Sequence, residues 1–280
     1  MYNCGVIIFL INKLFKFTRM IIDCHTHNGE FGGKYRTPEE LITSMDEAGI
    51  DISFLFANLH SGRGLSTKHV VEIAKQYPRL KAVGNITYAT LDKEQIGTIT
   101  QHAKNKEIIA VKFYLGYEAF YPTDEKLFPI YEMCIASDMP VIFHTGILES
   151  SFNGLMKHSH PLNIDEVAGL FPDLKIMIAH MGNPWLMDCA AVVAKNKNVY
   201  VDCSGYFKEY SPIEPEEESM FKNQLTQFRV FVGDFKKMLF GTDWPIYSQK
   251  EYLKAVQSLP MTEEERELVF YKNAQNLFHI

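Results

Sequence analysis

The segment Ile21-Ile22-Asp23-Cys24-His25-Thr26-His27 decides how the rest of the chain is read. An apolar pair runs directly into a carboxylate and two imidazoles at every second position. Side chains two apart on a strand share a face, so a strand here would carry Asp23, His25 and His27 as one column at its carboxyl end. Seven more short apolar runs follow: ISFLFA, KAVGNIT, IIAVKFY, PVIFHTG, LKIMIAH, VYVDCS and MLFGTD. Each is separated from the next by a stretch of helical period, among them 38–48, 66–77, 92–104, 127–136, 163–171, 185–194, 216–232, 249–259 and 262–278. Strands rich in Val, Ile and Phe without strict alternation suit a parallel sheet covered on both faces. Eight such units in succession predict an α/β fold of the (β/α)8, TIM-barrel kind. A doubly wound open sheet would call for a Gly-rich phosphate turn after the first strand, which DCHTHNGEFGG lacks.

The 280 residues are within the range of one large barrel. A hydrophobic fraction of 46% against 22% charged residues excludes a disordered or fibrous chain. The net charge of −6, a pI near 5.9 and the lack of a Lys/Arg cluster argue against a surface that tracks phosphates, so nucleic acid is not an expected partner. Five scattered cysteines without CxxC spacing indicate neither a disulfide framework nor a thiolate zinc site, and a reducing cytoplasm fits them best. The apolar run 6–11 is far shorter than the roughly 20 residues of a spanning helix. It also lacks the order of charge and cleavage site found in a secretory signal. Residues 1–19 are therefore expected to be an appendage, with the domain spanning 20–280 and no membrane as partner. The acidic run EPEEES at 214–219 is read as the start of a helix, where carboxylates favour the positive end of the dipole.

In a parallel barrel the carboxyl ends of the strands form the mouth where active sites are built. The reading above brings His25 and His27 there from strand one, His144 from strand five, His180 from strand six and Asp243 from strand eight. Imidazole and carboxylate groups converging from independent strands are a donor set suited to zinc, with a position open for chemistry. Of the remaining histidines, His60, His69, His102 and His279 fall in helices, loops or the terminus and are read as structural. His160, in the long loop after strand five, is expected on the catalytic side within reach of substrate. Lys112 at the end of strand four lies beside Tyr114 and Tyr117. It is read first as an anchor for an anionic, aromatic substrate group, and alternatively as a carboxylated lysine bridging two metals.

After the HTH of strand one come HTG at 144–146, FPDLKIMIAHMGNPW at 171–185, VYVDCSG at 199–205 and FGTDWP at 240–245. Together they resemble the amidohydrolase superfamily over Met20 to Ile280. The resemblance is to its amidohydrolase-2 branch, which contains aminocarboxymuconate semialdehyde decarboxylase, resorcylate decarboxylases and pyrone-dicarboxylate lactonase. It implies a distorted TIM barrel with a divalent metal, most often zinc and one ion rather than two. His25, His27, His144 and Asp243 match the ligands, Asp243 also exchanging protons, and His180 matches a catalytic acid or polarising group. Asp23 is given a supporting role. The implied reaction is hydrolysis of a small-molecule ester, lactone or amide-like bond by metal-activated water, with His180 stabilising the oxyanion. Nonoxidative decarboxylation of a small carboxylic acid is the alternative, and a non-catalytic barrel that binds metal or ligand is a third. By analogy with the family, a homodimer is expected.

Overall fold

The computed structural model describes residues 20–59, 64–149 and 152–280. The expected appendage at 1–19 and His60 lie outside the described residues. Eight strands form one sheet in sequential order: β1 (Ile22–His27), β2 (Ile52–Phe56), β3 (Leu80–Asn85), β4 (Val111–Phe113), β5 (Val141–His144), β6 (Ile176–Ala179), β7 (Val199–Asp202) and β8 (Met238–Leu239). Neighbouring strands in this order pair in parallel. Closure comes from backbone bonds between the first and last segments: Cys24 N–H donates to Phe240 O at 2.9 Å, Asp243 N–H to His25 O at 2.8 Å, and His27 N–H to Trp244 O at 2.7 Å. These bonds remove the free edges that an open sheet would expose.

The apolar runs supply two layers of core. Ile22, Cys24, Phe54, Phe56, Val83, Ile142, Met177 and Leu239 pack with one another inside the barrel. The alternate strand positions, such as Leu55, Val141, Ile176 and Val201, belong to the shell shared with the helices. The barrel floor is plugged by the last helical segment, Asn273–Phe278, whose Phe278 ring meets Phe54 edge-on at 4.7 Å. Burying a side chain of that size contributes roughly 1.5–3 kcal/mol. The helix Pro215–Val232 begins in the acidic run, and the Glu217 carboxylate accepts the backbone N–H of Glu214 at 3.0 Å, as a helix start requires.

Two local departures from simple strand reading shape the mouth. Between Asp23 and Thr26 the pairing of β1 with β2 slips, so β1 holds an extra residue. Asp23 therefore does not share a column with His25 and His27. It turns toward the helix layer, accepting Gln249 Nε2 at 2.7 Å, Thr242 Oγ1 at 2.6 Å and the backbone N–H groups of His25 and Thr242. The second departure is at β8, which ends at Leu239 rather than reaching Asp243. Asp243 has φ +66° and His180, directly after β6, has φ +64°. Non-glycine residues in the left-handed region are uncommon and cluster at functional sites.

Candidate active site

A cavity opens at the carboxyl ends of the strands, lined by His25, His27, His180 and Asp243 and, continuing from His180 through the adjoining His144 ring, by an aromatic wall of Tyr114, Tyr117 and Phe152. The slip in β1 sends His25 and His27 into it as near neighbours, their ring centroids 5.2 Å apart. His25 also stacks almost parallel on Phe56 at 4.2 Å, which fixes the plane of its ring.

From the last strand Asp243 Oδ1 comes to 3.1 Å from His27 Nε2 and 3.7 Å from His25 Nε2. That oxygen is buried and makes no well-directed hydrogen bond. Metal–ligand bonds of about 2.1 Å in a tetrahedral set would space the donor atoms by about 3.4 Å, so three lone pairs at these separations fit one divalent cation. Burial and the nearby Lys112 ammonium lower His25, and burial lowers His27, which leaves both rings neutral and able to donate lone pairs. Burial alone would raise the Asp243 carboxyl. A proton on any of the facing His25, His27 or His180 rings outweighs it and holds the group well below the usual carboxylate range, so a protonated ring and a protonated carboxyl do not coexist here.

Behind this cluster lies a hydrogen-bonded one. Asp202 at the end of β7 accepts His25 Nδ1–H at 2.9 Å through Oδ2. Its Oδ1 takes the backbone N–H of His180 at 3.0 Å and of Ser204 at 3.1 Å, together with the Ser204 hydroxyl. Despite complete burial, His25 and His180 beside it keep the Asp202 carboxyl strongly acidic. With Nδ1 of His25 engaged by Asp202, Nε2 is the nitrogen left for the cavity, the arrangement by which carboxylates orient metal-binding histidines. His25, His180 and Asp202 also form a group compact enough to be considered for a cation. In this structure the Asp202 oxygens are engaged in hydrogen bonds with the His25 ring and the His180 backbone.

The two histidines expected beside His25 and His27 are placed differently. His180 lines the cavity, its ring 4.7 Å from that of His25, and burial first, then His25, pushes it down to about 4. His144 ends the neighbouring strand β5, its ring edge-on to that of His180 at 4.9 Å and its Nε2 3.2 Å from Ile147 O, and it is not part of the close donor group of His25, His27 and Asp243. Tyr114 and Tyr117 both line the cavity. Tyr114 donates its hydroxyl to Ala57 O at 2.8 Å, and the Tyr117 oxygen accepts Glu149 N–H at 3.0 Å.

Lys112 and His160 do not reach the cavity. Lys112 is 0% exposed, its Nζ 5.0 Å from the Phe56 ring and 5.3 Å from Tyr114, with no hydrogen-bond partner. β4 turns the side chain into the barrel interior, beneath the cavity-lining ring of Tyr114. Burial lowers this amine to about 8. His160 packs against Trp185 with the rings tilted and 4.6 Å apart and approaches Asp188 at 3.8 Å, held to the helix Leu186–Lys195 and its leading turn. The structural histidines behave as such: His69 contacts Ser66, His102 contacts Glu107 and His279 contacts Asp138. Asp202 and Ser204 were not singled out from sequence, although a carboxylate ending the apolar run VYVD is the same signal that marks Asp243.

A family model described as amidohydrolase matches residues 22–280. The chain belongs to the amidohydrolase family. A comparison with the curated proteins found no match. Among solved structures, an uncharacterised TIM-barrel protein of Bordetella bronchiseptica is 24% identical, with 93% of this chain and 98% of that one covered and a TM-score of 0.74. A dihydroxybenzoic acid decarboxylase of a Polaromonas species, solved with manganese and 2-nitroresorcinol, is 17% identical over 93% and 97% of the two chains, with a TM-score of 0.71. An Acinetobacter baumannii protein described as a probable 2-pyrone-4,6-dicarboxylic acid hydrolase, with citric acid bound, is 17% identical over 93% and 99%, with a TM-score of 0.67. At these identities the likeness is one of fold. The amidohydrolase family supplies metal-dependent enzymes, and the His25, His27 and Asp243 group is where this member has donors for a cation. No helix among the described residues is long and apolar enough to cross a membrane.

Proposed function

We propose that this amidohydrolase is a metal-dependent hydrolase that cleaves an ester, lactone or amide-like bond of a small molecule. The observation that carries the reading is the convergence of His25 Nε2, His27 Nε2 and Asp243 Oδ1 at one wall of the cavity, with the rings neutral and the carboxylate ionised. One divalent cation held there, zinc being suited to the donor set, would supply Lewis acidity that brings the pKa of water to about 7. Asp243 has two oxygens, so one can face the cation while the other takes the proton of the attacking water and returns it to the leaving group. His25 is kept in register by Asp202 on one side and Phe56 on the other, which spares reorganisation during reaction.

Hydrolysis is favoured over decarboxylation by the charge in the mouth. Glu30, Glu149 and Glu209 line the cavity with Asp243. Burial raises the Glu209 carboxyl, and the neighbouring Glu149 and Asp243 add to the effect. A decarboxylase must add a substrate carboxylate to that environment, whereas a neutral ester, lactone or amide adds none. Metal-loaded protein should therefore turn over a panel of neutral lactones, esters and amides. Release of CO2 from aromatic or muconate-type acids, with no product from the neutral panel, would make the protein a decarboxylase. Metal binding with neither activity would leave a non-catalytic binding barrel.

A further inference from the structure

The contacts of Ser204 allow one distribution of protons. Its hydroxyl lies against three groups: Asp202 Oδ1, His180 Nδ1 at 2.9 Å and His25 Nδ1 at 3.2 Å. Asp202 accepts the backbone N–H groups of His180 and Ser204 at Oδ1 and the His25 ring at Oδ2, so both oxygens act as acceptors and the close Ser204–Asp202 contact must contain the hydroxyl proton. Having given its single proton away, Ser204 Oγ can only accept. His25 Nδ1 already donates to Asp202 Oδ2 at 2.9 Å. The hydrogen bond from His180 must then run from Nδ1–H to Ser204.

We propose that Ser204 is a positioning residue which, with Asp202 behind it, locks His180 in the tautomer that carries its proton on Nδ1. The lone pair of Nε2 is then the face of the ring presented to the cavity. Two further contacts hold the ring in this orientation. Gly205 has φ +67°, and a Cβ on it would stand 2.4 Å from His180 Nδ1, so only glycine lets the ring lie this close to the backbone. On another side the His25 ring stacks at 4.7 Å. The functional consequence reverses one expectation drawn from sequence. With its proton on Nδ1 and none on Nε2, the His180 ring cannot donate a hydrogen bond from Nε2 to a developing oxyanion. It accepts a hydrogen bond or a proton from a group in the cavity. The assignment uses the proposed hydrolytic site only for the meaning of that lone pair.

Nitrogen-15 NMR of the histidine rings in the full-length, metal-free protein at neutral pH tests the lock directly. The His180 signals are identified by their loss in His180→Asn. The wild type is expected to show a protonated Nδ1 and an unprotonated Nε2. Ser204→Ala should move His180 toward a mixture of tautomers, while Ser204→Thr, which keeps the hydroxyl, should restore the wild-type pattern. In metal-loaded protein Ser204→Ala should lower kcat by roughly 10- to 100-fold with little change in KM, as for other groups that orient a site. A proton on Nε2 in the wild type would overturn the proposal even if no variant folds, and so would an unchanged tautomer in a folded Ser204→Ala protein. Because the tautomer is read without metal or substrate, failure of the hydrolase reading would leave this result standing, and the reverse also holds.

Discussion

The two walls of the cavity are built on different principles. The wall from β1, β6, β7 and β8 is a connected set of titratable groups in which His25, His180, Asp202 and Ser204 each hold another in place, and His27 and Asp243 meet at 3.1 Å. The wall from β4 and β5 is mainly aromatic: Tyr117 lies edge-on to Phe152 at 5.1 Å and to His144 at 4.8 Å. The first wall has fixed charge and fixed protons, which is what chemistry requires. The second has shape and a few hydroxyls, which is what recognition requires. Substitutions on the two walls should therefore separate into those that act on kcat and those that act on KM.

The largest effect is expected from Asp243→Asn, which would remove the proposed proton acceptor and proposed cation ligand while preserving size. Turnover should fall by about 10²–10⁴-fold, the usual contribution of general acid–base groups. Activity near that of the wild type would collapse the distinction between the walls. One step back, Asp202→Asn keeps the shape but loses the charge that orients His25. Chelator competition should show affinity for a divalent cation weakened by roughly 10- to 100-fold.

Lys112, beneath both walls, is expected to matter in the opposite direction. Its ammonium is fully buried and unpartnered, with the folded-state pKa lowered from 10.5 to about 8. The unfolded chain therefore binds the proton more tightly, and the folding penalty is fully present below about pH 8 and fades as pH rises toward 10.5. Lys112→Met should raise stability at pH 7 by about 1–3 kcal/mol in denaturant unfolding, with a smaller gain at pH 10. A destabilised variant would mean that the amine has a partner that matters more than its burial. The smallest effect belongs to the aromatic wall. Tyr117→Phe removes the oxygen that accepts Glu149 N–H, and steady-state kinetics should show KM changed severalfold, about 1 kcal/mol, with kcat nearly constant.

The barrel was legible because eight apolar runs and their intervening helical periods each report a local preference, and the sheet follows chain order. The same rule located His25, His27, His180 and Asp243 at one rim. It failed where the backbone departs from strand periodicity. The extra residue in β1 turns Asp23 toward Gln249 instead of the mouth, and nothing in IIDCHTH distinguishes a regular strand from a bulged one. Lys112 and His160 are not among the residues lining the cavity for a related reason. Strand order gives the end of the barrel at which a residue lies, but side-chain direction is set by packing against partners distant in sequence, such as Phe56 for Lys112 and Trp185 for His160. Asp202 is the reverse case, a site residue whose signal was present and was read only as the end of a strand.

Binding of a divalent cation to stripped protein tests the central claim most directly. Calorimetric titration of the metal-free wild type with zinc and with manganese should give one site per chain, which His25→Ala and Asp243→Asn each weaken by at least tenfold, and hydrolysis should return in proportion to occupancy. Binding unaffected by either substitution, or full turnover in protein shown to hold no metal, would contradict the assignment of His25, His27 and Asp243 as the metal centre.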